Sequence, residues 1–141
     1  MEKINFKIIT LERVVYEDEI DQVTIPTQAG EITVLARHTP LVSLLKPGEL
    51  RIKKDGYDVL LSVSTGFVEV RPKSEVVILA DTAERAEEID LERAEEGRRR
   101  AEEMLKEKER LDDVQFARLQ AQLEKELARL KVGRRYRKLR S

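Results

Sequence analysis

The sequence predicts a β + α chain: an all-β sandwich or barrel over residues 1–82, then an antiparallel two-helix hairpin over residues 83–141. Three observations predict it. Apolar and polar side chains alternate with period two through the first 80 residues, between closely spaced turn signals. All four prolines (Pro26, Pro40, Pro47, Pro72) lie in that part. After it, β-branched residues thin out and Ala, Leu, Glu, Arg and Lys take over, with 33 of the 61 positions from 81 to 141 charged.

The strands come first. Ile4, Phe6 and Ile8 alternate with residues of a second face. Ile20, Val23 and Ile25 form a run that ends at Pro26, and Glu31 to Val34 follow Gly30. Leu50 and Ile52 follow "KPG", and Tyr57 to Val63, Phe67 to Val70 and Glu75 to Leu79 complete the pattern. About 80 residues suffice for a modest core.

For the first helix, Asp90 is a suitable N-cap, because a short carboxylate can accept from the open N–H groups of the first turn. Its apolar positions, Ala94, Gly97, Ala101, Met104, Leu105 and Leu111, make a narrow stripe of mostly small residues. "RLDDVQ" breaks the helix, and Asp112 or Asp113 can cap the next. The second helix carries Phe116, Leu119, Leu123, Leu127 and Leu130 at coiled-coil-like spacing, with Gly133 a suitable stop before the basic segment RRYRKLR.

The net charge of -1 conceals a division. Residues 81 to 113 hold 8 basic and 14 acidic side chains, and residues 114 to 141 hold 9 and 2. Folded back, a -6 arm meets a +7 arm, but exposed pairs contribute only about 0.3–0.5 kcal/mol each and salt screens them. A hairpin held by a thin seam and surface charge can be permanently docked or can detach, and both readings stay open.

The absence of cysteine excludes disulfides and thiolate chemistry, and a single histidine excludes His-rich metal sites. No apolar run approaches a membrane span, so the chain is expected on the cytosolic side, with membrane association through partners.

From about Phe6 to Leu130 the sequence resembles the epsilon subunit of bacterial F-type ATP synthases. The resemblance rests on "FKIITLERVVYEDEIDQVTIPTQAGEITVLARHTPLVSLLKPGELRI", on "STGFVEVRPKSEVVILADTAERAEEID" and on "IDLERA", which matches the [IL]-D-x-x-R-A motif opening the family's helical part. Thr33 and Thr65 depart from the glycines usual at their positions. The resemblance implies a ten-stranded β-sandwich followed by a helical hairpin. It also implies a non-catalytic subunit at the foot of the central stalk of a proton- or sodium-translocating enzyme, touching the gamma subunit and the c-ring. It would be peripheral to the cell inner (plasma) membrane, on the cytoplasmic side. The family's hairpin lies on the sandwich or extends towards the alpha and beta subunits, where it inhibits ATP hydrolysis.

Each candidate site has a plainer reading. His38 lacks a Ser, Cys or carboxylate constellation that would make it a base, and by itself reads as a loop residue. The resemblance implies that His38 and Glu31 lie on the sandwich end that meets gamma and the c-ring. Asp90 and Arg93 read plainly as a cap and a surface cation. The resemblance implies instead that Ile89, Asp90, Arg93 and Ala94, with Arg100, Lys125 and Arg129 from the two helices, bind ATP as a regulatory ligand, with no cofactor required. Arginine suits phosphate because its planar fork donates several charge-assisted bonds, geometry that Lys125 lacks. No Walker-type loop is present, so such a site would sense without hydrolysing.

The basic arm (Arg118, Lys125, Arg129, Lys131, Arg134, Arg135, Arg137, Lys138, Arg140) is either a solvated face or, as the resemblance implies, an inhibitory surface for acidic loops of the beta subunit. A competing function is a nucleic-acid-binding module using "GRRYRKLR", although one aromatic, Tyr136, is few for a stacking platform. No nucleic-acid partner is expected on the leading reading.

Overall fold

The computed structural model describes residues 2–140. Ten strands come first: β1 Ile4–Ile9, β2 Val14–Ile20, β3 Gln22–Thr27, β4 Gly30–Leu35, β5 Leu41–Leu45, β6 Gly48–Lys54, β7 Tyr57–Val63, β8 Gly66–Arg71, β9 Glu75–Ala80 and β10 Ala83–Arg85. A 3-10 turn, Ala86–Glu88, leads to α1, Leu91–Leu105, and a second such turn, Lys108–Arg110, leads to α2, Asp113–Arg140.

The strands run in the order β10-β7-β6-β3-β5-β8-β9-β1-β2, with β4 on β3. β3 is the hinge of the sandwich. Its first half pairs with β6 and its last residue, Thr27, pairs with Leu45 of β5. All pairings are antiparallel except β1 with β9. The inward residues form one core that includes Ile4, Phe6, Ile8, Ile20, Val23, Ile25, Leu50, Ile52, Leu61 and Ile78, all buried. Side chains alternate across a strand, so on β1 the even positions 4, 6 and 8 enter the core.

Periodicity did not reveal three strands. β2 hides in an acidic stretch, VVYEDEI, whose Glu17 and Glu19 lie at or near the surface. β5, LVSLL, exposes Val42 and Leu44 on its outer face and so lacks alternation. β10 is only three residues long; it pairs with β7 in the register Ala83↔Val63 and Arg85↔Leu61. Thr33, one of the two departures noted above, faces Thr24 across β3 and β4, and their hydroxyls are 3.0 Å apart.

The helices are antiparallel, since Leu91 meets Gly133 while Gly97 meets Glu126. Asp90 caps α1, accepting from the Arg93 N–H at 3.1 Å. Asp112 caps α2 reciprocally. Its carboxylate accepts from the Gln115 N–H at 2.7 Å and its own N–H donates to Gln115 Oε1 at 3.1 Å, a capping box.

Two expectations for α2 are corrected. Gly133 does not end the helix, which runs on to Arg140. The glycine is instead a point of close approach: a Cβ there would lie 2.6 Å from Leu91 Cδ2 and 3.1 Å from Ile89 Cγ2. The leucine seam matches the buried stripe only in part: Leu130 is buried and Leu119 and Leu123 are half-buried. Glu126, Ala128, Leu130, Val132 and Gly133 are buried, whereas Phe116 and Leu127 are exposed. The helix faces both α1 and the sandwich, and those two surfaces together select its buried face. On α1 the small residues Ala94 and Ala101 are buried as the stripe predicts, but Met104 is exposed. The hairpin is therefore packed near the sandwich and open at its far end.

Candidate functional site

The hairpin seats on the outer face of β6 and β7. Register places Glu49 opposite Ser62 and Arg51 opposite Leu60, so all four side chains share that face. Leu60 joins Ala86, Ile89 and Val132 in a second, small apolar cluster, with Leu91 and Tyr136 packed against it. This cluster is separate from the sandwich core.

Two charged catches flank it. On one side Arg135 donates to Glu49 Oε1 at 2.5 Å, and Arg51 reaches the same oxygen at 3.3 Å. Glu49 Oε2 is buried without a hydrogen-bond partner among the described residues, a cost carried by the seated state. On the other side Arg129 donates through Nε to Glu84 of β10 at 2.8 Å and through Nη1 to Glu126 at 2.8 Å. Burial works against the Arg129 charge, but the bonds to Glu84 and Glu126 outweigh it and raise its pKa above the usual guanidinium value. Arg134 adds a longer contact to Glu95 at 3.3 Å. The Glu95 carboxyl is held below its usual value, chiefly by its bond from Arg98.

A cleft of about 440 Å³ lies between the two helices. It is lined by Arg93 and Arg100 from α1, two helical turns apart on one face, and by Gln122, Glu126 and Arg129 from α2. The Arg93 and Arg100 guanidinium groups make no ion pair among the described residues. Three of the arginines singled out from sequence thus converge. The other candidates do not join them. Ile89 lies in the seating cluster, Ala94 is buried, and Asp90 is at the α1 cap. Lys125 lines an adjoining cleft of about 310 Å³ with Ser62, Thr82 and Glu84. Arg129 lines both clefts.

The structure also separates Glu31 from His38. Glu31 is the second residue of β4, and from there to Leu35 the strand rises about 13 Å before the chain turns to His38. Glu31 instead lines a groove with Lys131 and Arg135 of α2, while His38 Nδ1 sits 2.7 Å from the Thr39 carbonyl.

Of the basic arm, Arg129, Arg134 and Arg135 are engaged in ion pairs, and Arg118 is exposed. Tyr136 packs on the seating cluster, with the Arg140 guanidinium 5.6 Å from its ring centroid, so the aromatic of the basic tail is engaged within the fold. Sequence reasoning missed the acids Glu49, Glu84 and Glu126 as partners. For Glu126 a signal existed: it is one of two acids in residues 114 to 141. Among the described residues no group of three or more acids or histidines could hold a metal, and no helix is long and apolar enough to cross a membrane.

Comparison with known proteins agrees with this architecture. The family model for the ATP synthase delta/epsilon chain β-sandwich domain matches residues 3–86, and that for its long α-helix domain matches residues 87–133. The ATP synthase epsilon chain of Herpetosiphon aurantiacus is 43% identical over 131 residues, 93% of this chain and 94% of that protein. The ATP synthase epsilon chain of Dehalococcoides mccartyi strain CBDB1 is 44% identical over 138 residues, 98% of this chain and 97% of that protein. A chain in the cryo-EM structure of the Euglena gracilis mitochondrial ATP synthase (OSCP, F1 and c-ring in rotational state 1) matches with a TM-score of 0.76 at 25% identity. That match covers 91% of this chain and 79% of the other.

Proposed function

The chain belongs to the delta/epsilon family of ATP synthase chains, and from that premise we propose that it is a non-catalytic rotor subunit whose sandwich links gamma to the c-ring and whose hairpin restrains ATP hydrolysis when it leaves the sandwich. The observation that carries the regulatory half is the contrast between the two packing units. The sandwich is built on a core of large, fully buried side chains, whereas the hairpin seats on four buried residues and a few ion pairs. An element seated so thinly belongs to the low-stability end of a fold.

The two catches give the transition a charge logic. Arg129 and Arg135 are engaged by Glu84, Glu126 and Glu49 in the seated state. The same arginines belong to the arm read as the surface for acidic loops of the beta subunit. Seating and inhibition then compete for one set of cations. On the sandwich, Glu31 and His38 remain the proposed contacts for the rotor. An exposed apolar row across β5, β8 and β9 (Leu44 beside Phe67, Phe67 beside Leu79) offers a second surface for gamma. ATP is the proposed regulatory ligand of the interhelical cleft, which is lined by the Arg93 and Arg100 guanidinium groups, without an ion pair among the described residues. Membrane association would be peripheral, through the complex on the cytoplasmic side.

Two measurements test the proposal. A tag on the chain should recover alpha, beta and gamma subunits together. Enzyme assembled with the chain ended at residue 86 should hydrolyse ATP faster than enzyme carrying the full chain. Failure to recover the subunits would overturn the rotor assignment, and equal hydrolysis rates would overturn the braking role.

A further inference from the structure

We infer that Glu126 is a built-in anionic ligand of the interhelical cleft, closing the hairpin without nucleotide and competing with any phosphate that enters. The inference rests on the reading of this cleft as an anion site and adds how it is regulated.

Four observations carry it. Glu126 is buried, 5% exposed, on an arm that is otherwise strongly basic. Both its carboxylate oxygens are used. Oε1 accepts from Arg129 Nη1 at 2.8 Å and Oε2 from Gln122 Nε2 at 3.1 Å. The opposing helix is cut away to receive it: a Cβ on Gly97 would lie 2.0 Å from Oε2. Finally, Arg93 and Arg100 line the same cleft.

A carboxylate buried with an arginine, in a cleft that two further arginines line, occupies the kind of position a phosphate needs. It satisfies Arg129 from the cleft side while Glu84 does so from the sandwich side. Glu126 thus packs on α1 at Gly97, and Arg129, which it engages within α2, carries the connection on to Glu84 of β10. A nucleotide entering the cleft meets a like charge, which must move or be neutralised before the phosphates can reach Arg129.

The test is hydrogen exchange on the full chain, parent against Glu126→Gln and Gly97→Ala, with and without millimolar ATP. Gln keeps the shape and removes the charge. Ala at position 97 favours the α1 helix intrinsically but fills the space of the carboxylate, so faster exchange there cannot be laid to a weaker helix. Without nucleotide, both variants are expected to exchange amides of α1 and of α2 from 124 onward about tenfold faster than the parent, with sandwich strands unchanged. Exchange within twofold of the parent in both would overturn the inference. Should Glu126→Gln disturb the sandwich too, Gly97→Ala decides.

The ATP arm separates this inference from the reading beneath it. ATP should slow exchange more in Glu126→Gln than in the parent. Equal slowing in both would overturn the competition. No slowing in either, with the variants open, would remove ATP as the ligand and leave Glu126 as the internal one.

Discussion

Replacing Val132 by Ala should unseat the hairpin while leaving the sandwich intact. Val132 is fully buried in the cluster with Leu60, Ala86 and Ile89, and not in the sandwich core. The substitution removes two methylene equivalents, about 1.6 kcal/mol at about 0.8 kcal/mol each. Ala is also a better helix former than Val, by roughly 0.5 kcal/mol. If α2 stays helical when it leaves, that gain is present on both sides of the equilibrium and the seated-to-released ratio falls about 15-fold, the factor for about 1.6 kcal/mol. If α2 unravels on leaving, the gain offsets part of the loss and the ratio falls about sixfold. The size of the shift therefore reports the state of the released helix. The chain has no cysteine, so Lys46→Cys and Arg137→Cys can carry a spin-label pair across the interface. Double electron–electron resonance should show a short-distance population shrinking in Val132→Ala, while the thermal transition of the sandwich stays in place. An unchanged distance distribution would refute the assignment of seating to this cluster. A sandwich melt that falls in step with seating would refute the independence of the two units.

Three further outcomes are expected. Replacing Arg118, Lys125, Arg129, Arg134 and Arg135 together by Ala should raise steady-state ATP hydrolysis of the reconstituted enzyme and change synthesis much less; equal hydrolysis would make the arm a solvated face. A chain ending at residue 86 should fold alone with native strand content by circular dichroism and still bind gamma, because β10 and Ala86 complete the β7 edge. The third concerns pH. Asp21 is held below the usual carboxylate value, first by the Lys3 ammonium and then by the Asp55 N–H, so its contribution is complete above the unfolded value of about 3.9 and is lost as pH falls through the folded one. Lys3 is raised by Asp21 and Asp55, so its contribution is lost only as pH rises through its folded value. Lys3→Met should lower sandwich stability slightly at pH 7 and by less at about pH 2, because the Asp21 carboxylate that engages Lys3 is lost as pH falls through its folded value. A parent-to-variant difference in urea midpoint that is the same at both pH values would contradict this.

What the sequence discloses depends on how local the cause is. The strands of Ile4 to Ile8 and of Glu75 to Leu79 are readable, but β5 exposes Val42 and Leu44, so its outer face imitates an inner one. Asp90 and Asp112 are readable as caps because each bonds three residues ahead. The buried face of α2 is not readable by the same means. Phe116 to Leu130 has a helical period, yet burial at Ala128, Val132 and Gly133 is imposed by β7 and by α1 rather than by the helix itself. Gly133 shows the ambiguity most clearly, since a glycine that stops a helix and one that admits a neighbour look alike in one dimension. The site divides in the same way. Arg93, Arg100 and Arg129 are identified by resemblance and do converge, but their acids are remote in sequence: Glu84 lies 45 positions from Arg129, and Glu49 lies 86 from Arg135. Counting charge by arm gives -6 and +7 and suggests that the arms simply attract each other. The structure shows a different distribution. Two of the strongest contacts of the basic arm are made to the sandwich, and a third is made to Glu126, within the arm itself. Net charge per segment predicts that a +7 helix finds acids; which acids it finds follows from the face on which β6 and β10 present them.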